Sequence, residues 1–137
     1  MSYGSQSGDH EERVRSVAKL LVPYTLVGKL PGLGPGLGFD HFKRLYNDTL
    51  VKLEQAGIER SVLESAKSLA ITMGISTLQD GSREKYGPEN MASMAFTQAE
   101  QAASELFGGS DAQIARDLGG ISSDARRRVK EQLGSPW

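Results

Sequence analysis

Residues 88–107 read PENMASMAFTQAEQAASELF, a stretch that carries both the start signal and the periodicity of an α-helix. Pro88 suits the first helical position because its φ angle is already helical, and Glu89 places a negative charge in the first turn. Small and apolar residues recur at spacings of three and four along one side: Ala92, Phe96, Ala99, Ala103 and Leu106. The stretch therefore predicts an α-helix that packs its apolar side against the rest of the protein.

The preceding residues carry further helical signals. Apolar periodicity over residues 42–53 predicts a helix, and Gly57 supplies the residue that stops it. A capping box, Ser61-x-x-Glu64, predicts the start of another helix that continues to about Leu78. The dipeptide Asp80-Gly81 then predicts a turn.

Residues after the quoted stretch extend the helical pattern to the C-terminus. Gly108-Gly109 predicts the end of the helix, and Ser110-x-x-Gln113 predicts the cap of a short helix that runs to Leu118. Gly119-Gly120 predicts a break before a last, arginine-rich helix over residues 123–133. No segment shows the sustained alternation of a β-strand, so the sequence predicts an all-α protein with five or six helices.

The N-terminal region has a different composition. Residues 1–8 are polar and rich in Gly and Ser, which predicts a flexible arm. A capping box, Asp9-x-x-Glu12, predicts a short amphipathic helix over residues 10–22, and Pro23 is expected to end or kink it. The conformation of residues 24–30 stays ambiguous, because this stretch is apolar with a single glycine.

A Gly/Pro-rich run, PGLGPGLG, occupies residues 31–38 and disfavours both helix and central strand. It predicts a connector between an N-terminal arm, helix and connector (1–38) and a C-terminal helical bundle with a basic last helix (39–137). Two other roles stay open for the run. It could cradle a phosphate, although the glycine spacing of known nucleotide-binding loops is absent, or it could be an assembly hinge whose Leu33 and Leu37 dock on a neighbouring subunit.

Composition excludes several kinds of chemistry. The chain has 137 residues, enough for one domain, and no cysteine, which excludes disulfides, thiolate zinc sites and cysteine catalysis. The two histidines cannot by themselves complete a zinc site, and the pairs Asp9-His10 and Asp40-His41 do not face each other on a helix. No stretch is apolar over the roughly 20 residues that span a bilayer, and residues 1–8 lack signal-peptide features. We therefore expect a soluble protein that is not an enzyme, with no catalytic residue, metal, cofactor or small-molecule substrate.

Charge is unevenly distributed along the chain. Residues 1–44 hold six basic and four acidic residues, residues 45–107 hold five and nine, and residues 108–137 hold five and four. The N-terminal basic residues are candidates for phosphate contacts: Arg13, Arg15, Lys19, Lys29, Lys43 and Arg44. On one helix, Arg15 and Lys19 lie on the same side, where they could reach phosphates together or form a solvated face paired with Glu11 and Glu12.

The order of segments resembles the major coat proteins of archaeal filamentous or rod-shaped double-stranded DNA viruses. The likeness covers about residues 40–121 and rests on Leu53-Glu-Gln-Ala-Gly-Ile58 before one helix and on Pro88-Glu-Asn-Met-Ala92 continuing to Phe107-Gly-Gly109. The resemblance implies a virion protein whose subunits pair as homo- or heterodimers with a copy or a paralogous coat subunit. It also implies that N-terminal helical limbs wrap double-stranded DNA held in A-form while the C-terminal bundles form a helical shell.

A second hypothesis needs no coat. The chain could be a helical interaction module, such as a phage adaptor or a small subunit of a nucleoprotein effector complex. In that case the basic cluster Arg126–Lys130 and the terminal Trp137 would bind the partner, because large aromatic side chains often anchor interfaces. Trp137 could equally be buried against its own domain.

Overall fold

A computed structural model describes residues 3–27, 39–107 and 112–133, and all but a few of these residues are helical. The five helices are α1 (Tyr3–Val27), α2 (Phe39–Gln55), α3 (Arg60–Glu84), α4 (Pro88–Phe107) and α5 (Ala112–Leu133). The predicted all-α class is therefore confirmed. The Gly/Pro connector (31–38), the Gly108-Gly109 break and the terminal Trp137 lie outside the described residues.

The second half of α1 lies at the centre of the bundle. It packs chiefly against α3 and α4, and more lightly against α2. Nearly every side chain on all sides of this half is buried: Val17, Ala18, Leu20, Leu21, Val22, Pro23, Tyr24, Leu26 and Val27. A helix that is apolar all round is the pattern of a core element. The predicted arrangement of a separate N-terminal arm and a C-terminal bundle is therefore not confirmed.

The extent of α1 also differs from the prediction for residues 1–23. The helix already includes Tyr3, although a flexible arm was expected there, and it passes through Pro23 without ending. Proline inside a helix costs about 3 kcal/mol, but burial of each large apolar side chain stabilises the fold by about 1.5–3 kcal/mol. With so many apolar side chains buried around Pro23, packing outweighs the local preference.

The turn between α2 and α3 follows the predicted glycine stop. Gly57 has a φ angle of +94°, its N–H donates to the carbonyl of Glu54 at 3.0 Å, and the N–H of Ile58 donates to the carbonyl of Leu53 at 3.1 Å. These two bonds satisfy carbonyls left unpaired at the end of α2, in the pattern that glycine favours. The capping box predicted at Ser61 is not used, because α3 begins at Arg60 with Glu59 as its N-cap.

The turn predicted at Asp80-Gly81 is wrong, because α3 continues to Glu84 and ends at Lys85, which has a left-handed backbone. Gly81 instead lies buried inside the helix, where an added Cβ would come within 2.9 Å of Cγ of Met91 on α4. The missing side chain lets the last turns of α3 approach the start of α4. Glycine is needed here because two helices pack closely. A sequence pattern does not distinguish such a glycine from one that forms a turn.

The break predicted at Gly119-Gly120 is also wrong, because α5 is a single helix across these positions. Leu118 and Ser122 are buried on either side of the glycine pair, and α5 packs on α4 and α2. Tertiary contacts therefore hold a helix through two residues that disfavour it.

Alanine at Gly119 and Gly120 is expected to stabilise the protein by about 1 kcal/mol per position. An added Cβ would meet nothing within 4 Å at either site, so only the unfolded chain is affected. Urea unfolding measures the change. Gly57→Ala is the matched control and should destabilise, because its positive φ strains any side chain. Equal destabilisation by all three variants would show that α5 is broken at the glycine pair.

Candidate nucleic-acid interface

The predicted basic residues fall into two groups on the folded surface. On the first part of α1, Arg13 and Arg15 are exposed and Lys19 is half-buried; on the first part of α2, Lys43 and Arg44 are exposed. Lys29 lies outside the described residues. The structure therefore places four of the six predicted cations on the solvent side of two helices.

The two groups lie at different levels of the bundle. The rings of Tyr24 and Tyr46 pack edge to face with centroids 6.3 Å apart, which sets the middle of α2 beside the end of α1. Eleven residues separate Arg13 from Tyr24, or about 16 Å along a helix. The α1 and α2 cations consequently do not form one compact patch, and a bound polyanion would have to run along the surface to meet both.

Within α1 the basic side chains also point in different directions. Arg13 lines a shallow surface depression together with Glu12, Ser16 and residues Glu105 and Leu106 of α4. Arg15 follows two residues later, about 200° around the helix, whereas Lys19 shares the side of Arg15. The predicted pairing of Arg15 with Lys19 on one side of α1 agrees with this geometry.

Ion pairing separates these cations from Arg126 and Arg127 of α5. Arg13, Arg15, Lys19 and Arg44 form no ion pair with a carboxylate of the described residues. In α5, by contrast, Arg127 pairs with Asp124 at 2.7 Å and with Glu131 at 3.8 Å. Arg126 lies over the ring of Phe96 at 5.8 Å and 3.6 Å from Glu100. The arginine-rich cluster of α5 therefore serves the bundle in part.

His41 has a partner that its sequence neighbours did not predict. Its Nε2 lies 3.1 Å from Oδ2 of Asp124, 83 residues away, and Lys52 lies 3.4 Å from Asp117. Burial raises the pKa of Asp124, but hydrogen bonds from Arg127 and His41 outweigh burial and hold that pKa below its ordinary value. The His41–Asp124 and Lys52–Asp117 contacts join α2 to α5. Because the pKa of Asp124 is lowered in the folded protein, its ionised carboxylate stabilises the fold above the ordinary carboxyl pKa. This stabilisation is lost as the pH falls through the lowered pKa of Asp124.

Two surface depressions that sequence reasoning missed lie beside α2, where it borders α3. One, about 180 Å³, is lined by Leu50, Val51, Glu54, Arg60, Leu63, Glu64 and Lys67. The other, about 220 Å³, is lined by Tyr24, Thr25, Phe42, Lys43, Tyr46 and Ile71. We call these two depressions together the α2–α3 furrow, and each depression one end of it. Its rims carry Val51, 54% exposed, and Ile71, 50% exposed, two of the most exposed large apolar side chains described.

The floor of the furrow is formed by Tyr24 of α1. Its ring packs edge-on against Phe96 at a centroid distance of 6.4 Å as well as against Tyr46. Burial raises the pKa of Tyr24 to about 12, although a hydrogen bond with Thr49 acts in the opposite direction. The phenol is therefore neutral at physiological pH. Its ring lines the end of the furrow that Lys43 and Tyr46 also line.

None of the described helices is long and apolar enough to cross a membrane. Over the same residues, no group of three or more histidine, aspartate or glutamate side chains is arranged to hold a metal ion. No protein-family model, curated protein or solved structure matches the chain.

Proposed function

We propose that the chain is a structural coat subunit that assembles helically with its copies around viral double-stranded DNA. In this proposal Arg13, Arg15 and Arg44 contact phosphates and read no base sequence. The resemblance to archaeal virus coat proteins supplies the class of protein. The folded surface supplies the contacts.

One observation carries the proposal: the exposed arginines of α1 differ from Arg127 of α5 in their pairing. Arg13 and Arg15 are exposed and form no ion pair with a described carboxylate, whereas Arg127 is held between two acidic side chains. A guanidinium without an internal partner can release counterions from DNA when it meets a phosphate. A paired guanidinium must first give up its partner, which reduces the gain.

The central position of α1 changes how such a coat would hold DNA. A limb that wraps the duplex would have to pull apolar side chains such as Val17 and Leu21 out of the core. Phosphate contacts made from the surface of the folded bundle avoid this cost, and rigid helices lose little conformational entropy on binding. Each subunit then needs only a few contacts, because binding sums along a filament of many subunits.

Salt dependence of DNA binding tests the proposal. For Arg13→Ala/Arg15→Ala, the slope of log K against log salt is expected to fall in magnitude by about 1 to 2, close to 0.9 for each lost phosphate contact. The lower value applies when the duplex lies on one side of α1, because the two arginines are about 200° apart around the helix. The matched control, Arg83→Ala/Arg127→Ala, removes the same charge from arginines that pair with Asp80, Asp124 and Glu131. It should change the slope little. Equal effects of both variants, or no binding at low salt, would contradict the proposal.

The α2–α3 furrow favours a second candidate, the helical interaction module. An apolar furrow with exposed Val51 and Ile71 on its rims suits the apolar side of a partner helix. Under this function, substitution of the furrow rim abolishes partner binding while the Arg13→Ala/Arg15→Ala variant leaves it intact. The basic cluster of α5 is less suited to be the partner site, because Arg126 packs on Phe96.

A further inference from the structure

The two ends of the α2–α3 furrow carry opposite charges on the α2 wall. Lys43 lines the end nearest the start of α2, and Glu54 lines the end nearest its finish. On the α3 wall, Glu64 and Lys67 lie 3.3 Å apart and pair with each other, while Arg60 adds a cation at the first turn of α3. The α2 wall thus carries a cation at one end and an anion at the other, with Tyr46 and Leu50 between them.

The α2 wall has helical spacing. Lys43, Asn47, Leu50 and Glu54 follow one another at intervals of four, three and four residues, so they lie on one side of α2. When two identical helices of this kind lie antiparallel, residues whose numbers add to the same total come opposite each other. In the register that sets Lys43 opposite Glu54, Asn47 falls opposite Leu50, and the same contacts occur twice about a two-fold axis.

We propose that the α2–α3 furrow binds a second copy of this chain, with α2 of each copy lying antiparallel in the furrow of the other. Lys43 then meets Glu54 of the partner subunit, and Glu54 meets Lys43 of the partner subunit. The rim residues Val51 and Ile71 are covered in this contact. The interface is isologous, which is the commonest symmetry of soluble homo-oligomers.

Charge arrangement is the reason for choosing a copy rather than an unrelated helix. A strip with a cation at one end and an anion at the other is complementary to itself when it is turned end to end. Tyr46 and Leu50, which lie between the two charges, are half-buried and largely apolar. They can therefore exclude water between the two copies. The inference rests on the proposed function, in which subunits pair before they assemble, and it names the surface that they use.

Charge exchange tests the inference on the full chain without DNA. Sedimentation equilibrium from low micromolar to near-millimolar concentration should show a monomer–dimer equilibrium. Lys43→Glu and Glu54→Lys each create two like-charge contacts per dimer, and each should raise the dimer dissociation constant about tenfold. The double variant Lys43→Glu/Glu54→Lys restores opposite charges and should return the constant close to that of the original chain. Circular dichroism checks that all three variants stay folded.

Cross-linking gives an independent test, because the chain has no cysteine and each introduced thiol is unique. Asn47→Cys lies close to the proposed two-fold axis and should be joined between copies by a short bismaleimide. Ser104→Cys, exposed on α4 away from the furrow, should not. A chain that stays monomeric, a dimer in which the charge exchange fails to restore affinity, or preferential cross-linking at Ser104→Cys would overturn the inference.

The DNA measurement separates this inference from the proposed function. A dimer that behaves as described but does not bind DNA rejects the coat proposal and leaves the interface in place. A monomer that binds DNA with the expected salt slope rejects the interface alone.

Discussion

Alanine in place of Leu21 is expected to lower the free energy of unfolding by about 3 kcal/mol, because the substitution leaves a cavity at the centre of the bundle. Leu21 is fully buried on α1, which packs between α3 and α4. Small domains are stable by only about 5–15 kcal/mol in total. The variant should therefore unfold at a much lower urea concentration and bring the whole chain with it in one transition.

Arg13→Ala is the control for this prediction, because it truncates an exposed side chain on the same helix and should change stability by less than about 0.5 kcal/mol. A small effect of Leu21→Ala, similar to that of the control, would mean that α1 detaches from the bundle in solution. That result would favour the free-limb arrangement predicted from the sequence.

Alanine in place of Phe96 should be the most destabilising single change, at about 3–5 kcal/mol. The ring is fully buried on α4, packs edge-on against Tyr24 of α1, and lies 5.8 Å from the guanidinium carbon of Arg126 on α5. Its removal opens a cavity shared by three helices. It also removes the aromatic face under a half-buried arginine, an interaction worth about 0.5–1 kcal/mol or more.

The control for Phe96 is Gln98→Ala, two residues further along α4 and exposed. Its effect should stay within about 0.5 kcal/mol. Retention of most of the stability by Phe96→Ala, measured by thermal and urea unfolding, would contradict the packing of α1, α4 and α5 around this ring.

Local signals predicted those parts of the fold in which local and tertiary preferences agree. Helix α4 begins at Pro88, as its starting proline indicates, and α2 ends before Gly57, whose positive φ requires such a residue. The all-α class followed from periodicity alone. In these places the backbone chemistry of proline and glycine left few alternatives.

Tertiary packing decided the places where the sequence prediction was wrong. Gly81 and Gly119-Gly120 were predicted to interrupt the chain and Pro23 to end or kink its helix, yet α1, α3 and α5 continue through these positions. For Gly81 the reason is the close approach of Met91, and for Pro23 it is burial on all sides. Local propensity is a weak prior once a segment is enclosed by other helices.

In the candidate site, too, local features could be predicted from the sequence and tertiary contacts could not. Exposure of Arg15 agrees with its predicted location on the polar side of the first helix, whereas Lys19, predicted on the same side, is half-buried. The contact between His41 and Asp124 joins residues 83 positions apart, and no local pattern indicates such a pair. The α2–α3 furrow was missed for a related reason: it depends on how two helices splay, which helical periodicity does not determine.

The burial of α1 has a consequence for any assembly. A subunit that keeps α1 in its own core has a fixed shape before it meets DNA, so assembly would proceed by docking of folded surfaces. Because the docking surfaces are already folded, little conformational entropy is lost when they bind. The proposed phosphate contact of Arg44 and the proposed subunit contact of Lys43 would then lie next to each other on α2.

Electron microscopy of the purified chain mixed with linear double-stranded DNA at low salt tests the coat proposal most directly. We expect regular, protein-covered filaments whose length follows that of the DNA and which dissociate as salt is raised. Bare DNA beside separate globular particles, at concentrations where the chain is folded, would contradict it.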